Sequence, residues 1–216
     1  MGYHIISRTL ISAAIIAMLF TFITISCNSP SGPGCGPFPD RFRITDFSAS
    51  IHQITHFDSS TYAIQLSEIK DDSIQYDQFA IKMSPVTEVF YSSYLDKIKF
   101  QLIRNVYACS PIDPISDETI LDIQIFSDND FSPEHPAGEN LAELFDVYAL
   151  YLRDGPRLVD LNEFLTEEPN APDYLVLLLK SGPSEADEFI FSVRYVQDGE
   201  KLNEFEFSST PIIITP

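Results

Sequence analysis

The sequence contains no tryptophan and few basic residues. Its 216 residues include 13 Lys and Arg against 32 Asp and Glu, a formal net charge of −19. Because nucleic-acid binding needs clustered Lys and Arg to neutralise phosphates, this balance argues against a nucleic-acid partner. The acidity is typical of a solvated, self-repelling surface, with cation binding as the alternative. The missing tryptophan removes the buried residue that marks immunoglobulin domains.

Recognisable catalytic motifs are also missing. The chain has no G-x-S-x-G, no H-E-x-x-H and no glycine-rich phosphate loop. Adjacent carboxylates such as Glu167 and Glu168 are expected to be solvated charges, since pairs arise by chance among 32 acidic residues. The sequence therefore favours a non-catalytic protein over an enzyme.

The chain has one long apolar run, and it lies at the N-terminus. Thr9–Ile25 carries no charge and follows Arg8. As a helix its residues would span roughly 25 Å, short of the ~30 Å hydrocarbon layer. A basic start, an apolar run and a small residue before Cys27 are the order of a secretory signal. We predict that residues 1–26 form a signal peptide; the alternative is an uncleaved membrane anchor with an incidental cysteine.

Cys27 indicates how the mature chain is held. Ile23–Cys27 resembles the lipobox of bacterial lipoproteins, with small Ser26 before the cysteine and Thr24 in place of the usual leucine. We predict lipidation at Cys27, since two or three acyl chains make a stable anchor. Residues 28–34 are small, polar or turn-forming, so residues 27–38 are predicted to be a flexible tether before a single domain at 39–216.

The three cysteines of the chain suggest one disulfide. If Cys27 carries lipid, Cys35 and Cys109 remain as an even pair in an oxidising compartment. A bridge between them would close a loop of about 75 residues and stabilise the fold by roughly 4 kcal/mol. Two unpaired thiols are the alternative.

A period of two dominates the rest of the sequence and predicts strands. Apolar and polar residues alternate in Arg41–Ile44, Tyr62–Leu66, Phe79–Met83, Ile98–Leu102, Leu121–Ile125 and Phe189–Tyr195. Tyr174–Leu179 is continuously apolar, as in a strand with both faces covered. Asp198-Gly199 predicts a two-residue hairpin turn before a return strand with Phe205 and Phe207, and Ile212–Thr215 predicts a last strand.

Two short helices are expected to interrupt the strands. Asn140 and Glu143 have capping-box spacing, and Leu141, Leu144, Phe145 and Tyr148 follow on one helical face. Asp160 and Glu163 repeat the arrangement before Phe164 and Leu165. The whole pattern predicts an all-β fold, mainly an antiparallel β-sandwich of immunoglobulin-like or related type, with two short helices.

One loop invites a calcium interpretation. Asp128 and Asp130 offer the oxygen ligands that Ca²⁺ prefers, and Glu139 falls where a twelve-residue calcium loop has its bidentate glutamate. Pro133 occupies the position where that loop needs glycine, and Asp and Asn are ordinary loop formers. No cofactor is otherwise indicated. His52 and His56 lie in a strand pattern, about 13 Å apart, and cannot share a metal ion.

Four tyrosines are candidates for a ligand-binding surface, since flat rings stack on sugar faces. They are Tyr91, Tyr94, Tyr148 and Tyr151. Packing in the core is the alternative role for each of them, and the lack of tryptophan weakens the sugar hypothesis.

Both ends of the chain resemble the small envelope lipoproteins common in Bacteroidota, domains of unknown function. The resemblance lies in Ile23–Cys27, in Cys35–Asp40 with the following Arg41–Asp46, and in Phe189–Thr215. It implies an outer-membrane lipoprotein. Because no acidic residue follows Cys27 directly, the periplasmic face is favoured over the cell surface.

The expected function is a non-catalytic binding or accessory module with an unidentified protein or glycan partner. A carbohydrate-binding or carbohydrate-processing protein and a calcium-stabilised structural domain are the alternatives.

Overall fold

Strands make up nearly all the regular structure of the residues that the structure describes. The computed structural model describes residues 38–92 and 112–216, and the fold below is that of the compact unit formed by Pro39–Phe90 with Asp113–Pro216. Its elements are β1 (Arg41–Asp58), β2 (Ala63–Ser67), β3 (Ser73–Gln75), β4 (Phe79–Phe90), β5 (Ile115–Ser116), β6 (Ile120–Ser127), β7 (Phe145–Tyr151), β8 (Gly155–Asp160), α1 (Leu161–Thr166), β9 (Tyr174–Leu179), β10 (Asp187–Phe189), β11 (Phe191–Gln197), β12 (Glu204–Ser208) and β13 (Ile212–Thr215).

The largest sheet has the strand order β2-β1-β4-β9-β7-β8, with β5 also paired to β1. The 18-residue strand β1 is antiparallel to β4 from Arg41 to Gln53, with a bulge between Ile44 and Asp46. The continuously apolar β9 lies between β4 and β7. Its predicted place in mid-sheet is therefore confirmed. Both faces of β9 are covered by apolar side chains, which explains why its sequence is apolar without alternation.

Two three-stranded sheets, β10-β13-β3 and β12-β11-β6, complete the fold. Among the described strands, all pairings are antiparallel except β1 with β5 and β13 with β3. The predicted all-β, mainly antiparallel and sandwich-like fold is confirmed. Alternate residues of the strands meet in the main core, where the rings of Phe79 and Phe191 lie 5.0 Å apart and those of Phe47 and Tyr195 4.6 Å apart.

The predicted strand Phe189–Tyr195 is divided between two sheets. Phe189 belongs to β10 and pairs with β13, whereas Phe191 opens β11 and pairs with β6. The chain changes sheets at Ile190, whose N–H donates to the Asp128 carboxylate at 2.6 Å. Alternation continues through this corner, so the sequence pattern contains no sign of the break.

The first predicted helix is replaced by a 3-10 turn, Ala142–Leu144, followed directly by β7. The Asn140 side chain accepts from Ala142 N at 3.1 Å, but the N-cap residue of this turn is Leu141, which makes no side-chain cap bond. Phe145, Val147 and Ala149 are fully buried on one face of β7. The apolar residues of this segment satisfy both helical and strand spacing, and pairing with β8 and β9 selects the strand.

The second predicted helix is present as α1, and its N-cap is confirmed. The Asp160 side chain accepts from the backbone N–H groups of Asn162 and Glu163, which are otherwise unpaired at a helix start. The buried Leu161 and Phe164 hold α1 against the core. Glu168, with φ of 48°, ends the segment one residue before Pro169.

The expected two-residue turn at Asp198-Gly199 is wrong, although the hairpin itself exists. β11 and β12 are antiparallel, but residues 198–203 connect them. The Gln197 side chain fills the loop by donating to Leu202 O at 2.8 Å. A Cβ at Gly199 would lie 2.0 Å from that same oxygen, so glycine is needed here for close approach.

Several predictions concern residues outside the described ranges. They are the signal peptide 1–26, lipidation of Cys27, the tether, the Cys35–Cys109 bridge, Tyr94 and the strand Ile98–Leu102. Within residues 38–92 and 112–216, no helix has the length and apolar character needed to cross a bilayer.

Candidate functional site

A groove opens where β2 separates from β1. The two strands are paired from Asp58 and Ala63 as far as Gln53 and Ser67. Continuing this register would set Glu68 against His52 and the residues after it against Ile51 and Ser50. Instead, residues 68–72 leave the strand edge and lead to β3, which pairs with β13. Within residues 38–92 and 112–216, no strand then pairs with this edge of β1 at Ala49–Ile51.

The groove has a volume of about 510 Å³, within the range of ligand sites. Its apolar surface comes from half-buried side chains that also pack on the main core, namely Ala49, Ile51, Ile69 and Phe207, together with the buried Ile212. Its rim is exposed and polar, and consists of Ser50, Glu68, Lys70, Asp71, Asp72, Ser208 and Thr210. The site thus combines an apolar floor with hydroxyl and charged groups at its mouth.

The rim is acidic. Three carboxylates, from Glu68, Asp71 and Asp72, share it with the single ammonium of Lys70. Since the whole chain has a net charge of −19, the field of the protein adds to this local excess. The groove therefore favours a cationic ligand over an anionic one.

The free edge of β1 extends beyond the groove. On the side of β1 that faces away from β4, two strands pair with it. β5 pairs with Arg41 and Phe42, and β2 pairs with Gln53 and the residues after it. Among the described residues, no strand pairs with residues 43–52 on this side. Past the end of β5, a side chain supplies the acceptor that a strand would otherwise supply: Ile44 N donates to Glu118 Oε1 at 3.0 Å.

Glu118 is buried, with 2% of its surface exposed. Its second carboxylate oxygen accepts from the Ser116 hydroxyl at 2.8 Å, and Ser116 Oγ in turn accepts from Glu118 N at 3.1 Å. Burial raises the pKa of the nearby Tyr195 hydroxyl, and the negative charge of Glu118 raises it further. With these two polar partners, the Glu118 carboxylate ties the start of β1 to β5 and the bulge.

Aromatic packing fixes the wall of the groove that comes from β12. Phe205 lies 5.2 Å from Phe47 of β1, measured between ring centroids. Tyr195 packs on the same Phe47 ring, and its hydroxyl donates to Gln197 at 3.0 Å. These contacts hold β12, and with it Phe207, beside β1.

Two of the three predicted calcium ligands, Asp128 and Asp130, accept hydrogen bonds from backbone N–H groups. The Asp128 carboxylate accepts from Ile190 N at 2.6 Å, that of Asp130 accepts from Ala137 N at 2.8 Å, and Glu139 is exposed. The described part of the chain contains no group of three or more His, Cys, Asp or Glu side chains that could hold a metal ion. The loop geometry is thus explained by hydrogen bonds to N–H groups.

The candidate tyrosines Tyr148 and Tyr151 do not lie on one platform. Tyr148 belongs to a second apolar cluster with Ala80 and Val176, whereas Tyr151 packs against the main core. Three residues apart on one strand, they point to opposite faces of the sheet. Tyr91, directly after β4, is half-buried. Burial raises the pKa of Tyr151 to about 12, and its hydroxyl donates to Asn170 O at 3.0 Å.

The predicted strand position of the two histidines is confirmed, since both lie in β1. His52 reaches the point where β2 leaves: its Nδ1 is 3.2 Å from Ser67 O and its Nε2 is 2.9 Å from Ser50 Oγ. His56 is exposed. His52 therefore has a structural role at the end of the groove.

Sequence reasoning did not identify the groove. Its walls come from β1, from the segment after β2 and from the segment around β12, which are far apart in the chain. The one local signal is the run Glu68–Asp72, where strand alternation stops between two strands. Comparison with protein-family models, curated proteins and solved structures finds no match to this chain.

Proposed function

We propose that this protein is a lipid-anchored, non-catalytic binding module of the cell envelope. The order of Arg8, an uncharged run and Ser26-Cys27 supports export and lipidation, and residues 28–34 support a tether. The resemblance to outer-membrane lipoproteins supports attachment to the outer membrane, and the lack of an acidic residue directly after Cys27 favours its periplasmic side.

The groove beside β1 is the observation that carries the binding function. It joins a half-buried apolar floor to a rim of hydroxyl and carboxylate groups, so a ligand could bury apolar surface and form hydrogen bonds at the same site. One wall of it is built on the packed strand β1, and rigid elements hold a site more precisely than loops.

The anchor is tested by the mass and partitioning of the full chain extracted from membranes. We expect a polypeptide that begins at Cys27, carries the mass of the acyl groups and enters the detergent phase. Cys27→Ser is expected to lack the lipid mass, and Cys35→Ser, the matched control, to keep it. A mature chain that begins at any other residue, or that has no lipid, would refute the anchor.

Binding is tested by nuclear magnetic resonance on the labelled full chain in neutral detergent. We expect probes from a mixed set of short peptides and neutral oligosaccharides to shift the amide signals of Ser50, Asp71 and Thr210. Shifts that map only to the sheet face around Tyr148 and Val176 would place the ligand elsewhere and refute the groove as the site.

A carbohydrate ligand is the second candidate. The hydroxyls of Ser50, Ser208 and Thr210 stand beside carboxylates on the rim, with the Phe207 ring on the groove wall. Hydroxyls and carboxylates are partners that sugar hydroxyls use, and the oligosaccharide probes of the same experiment address this candidate directly.

A further inference from the structure

The groove occupies the position that a continuing β2 would fill. From Ser67 onward the strand register points to His52, Ile51 and Ser50, but residues 68–72 have left the edge. An exposed strand edge carries N–H and C=O groups in the spacing that another extended chain can use. Of the described residues, none supplies a strand at this edge.

The size of the groove suits a short extended segment. Ala49 to His52 covers four residues of β1, or roughly 13 Å at ~3.3 Å per residue. Beyond this stretch β12 closes in, with Phe205 against Phe47. A ligand strand therefore has room for about three to four residues beside β1.

The two surfaces of the groove define the side chains of such a segment. A strand places successive side chains on opposite faces, so one set would meet the apolar floor near Ile51 and Phe207. The other set would lie near Glu68, Asp71 and Asp72, where the net charge is negative even with Lys70 included. Alternating apolar and basic residues complement this arrangement.

We propose that the groove binds a short, extended, basic segment of a partner protein, which adds to the edge of β1 where β2 departs. This inference rests on the proposed binding function and specifies its ligand. Main-chain hydrogen bonds to β1 supply affinity, and the acidic rim selects Lys or Arg side chains. A sugar ligand would use the rim hydroxyls but not the strand edge.

The test uses the full chain in neutral detergent and four synthetic probes, titrated by calorimetry. The first is a blocked six-residue peptide of alternating Val and Lys. The second is the same peptide with N-methyl groups on alternate amides, which cannot form a ladder. The third replaces Lys by Glu, and the fourth is a neutral oligosaccharide of six sugars. We expect the first probe to bind about tenfold more tightly than the second and third.

Charge variants locate the binding. Asp71→Asn combined with Asp72→Asn is expected to weaken binding of the Val-Lys peptide by about five- to tenfold at low salt, and by much less at ~0.5 M salt. Glu139→Gln combined with Glu185→Gln changes the net charge equally at exposed positions outside the groove. This control is expected to change affinity by less than about twofold.

Three results would overturn the proposal. Equal binding of the N-methylated peptide would exclude strand addition. Equal losses of affinity in both double variants would show that net charge, and not the groove carboxylates, causes the effect. No saturable binding of the Val-Lys peptide up to about 5 mM would exclude this ligand class. If the oligosaccharide alone shifts the groove signals, the binding module stands and only the peptide inference fails.

Discussion

Glu118→Ala is expected to lower the free energy of unfolding by about 3 kcal/mol. The variant removes the acceptor of Ile44 N, a donor in a fully buried residue, and the acceptor of the Ser116 hydroxyl. An unsatisfied buried group costs about 1–3 kcal/mol, and the lost methylene adds about 0.8 kcal/mol. The variant also removes the desolvation cost of a buried carboxylate, which offsets part of this sum.

Urea denaturation of the full chain in neutral detergent, followed by circular dichroism, measures the change. In a domain of this size about 3 kcal/mol also corresponds to a melting temperature lower by about 6–12 °C. Hydrogen exchange at the Ile44 amide adds a local measurement, because this N–H loses its partner only if Glu118 is the acceptor. Its exchange is expected to accelerate more than that of Ile81 in the adjacent strand.

Glu118→Gln is the matched control. Glutamine keeps an oxygen for Ile44 N and nearly the same volume, so the expected loss is about 1 kcal/mol. Equal effects of the two substitutions, or a loss below about 1 kcal/mol for alanine, would refute the account of Glu118 as the group that completes the edge of β1.

Four further outcomes are expected. Hydrogen bonds from Ser60 lower the pKa of Asp58 from 3.8 to about 2. Their stabilising effect is therefore present above pH 3.8 and is lost as the pH falls toward 2, and a carboxyl titration near pH 4 would contradict this. Asp160→Ala should cost about 1–2 kcal/mol through the lost helix cap, and an unchanged urea midpoint would contradict the cap. Phe191→Ala should cost about 3–5 kcal/mol, because the ring is fully buried. Leu121→Ser, at an exposed position, should stay within about 0.5 kcal/mol in the same measurement.

The strand pattern was predictable because burial of one sheet face leaves a period of two in the sequence. Ile123 and Ile125 are fully buried, and Leu121 and Gln124 on the same strand are not. The cap of α1 was predictable for a different reason: Asp160 reaches N–H groups only two and three residues away. Both features depend on local geometry that the sequence encodes directly.

Tertiary pairing decided the segments with two compatible patterns. Phe145 and Tyr148 fit a helical face, yet β8 and β9 offer backbone partners on both sides, and β7 is the result. The Asp198-Gly199 dipeptide likewise favours a tight turn, but the Gln197 side chain and Leu202 O stabilise a longer loop. In each case hydrogen bonds beyond the short motif stabilise a structure other than the one the motif predicts.

The sequence by itself determined the charge balance, the strand periods, the cap of α1 and the expectation of an exported, lipidated chain, since each depends on residues close together. Only the tertiary structure decided where β2 leaves β1, which side chains line the gap and how Glu118 reaches Ile44 across 74 positions. The physical reason is that a groove consists of surfaces from distant segments. Their meeting depends on the packing of the whole core, which no short stretch of sequence specifies.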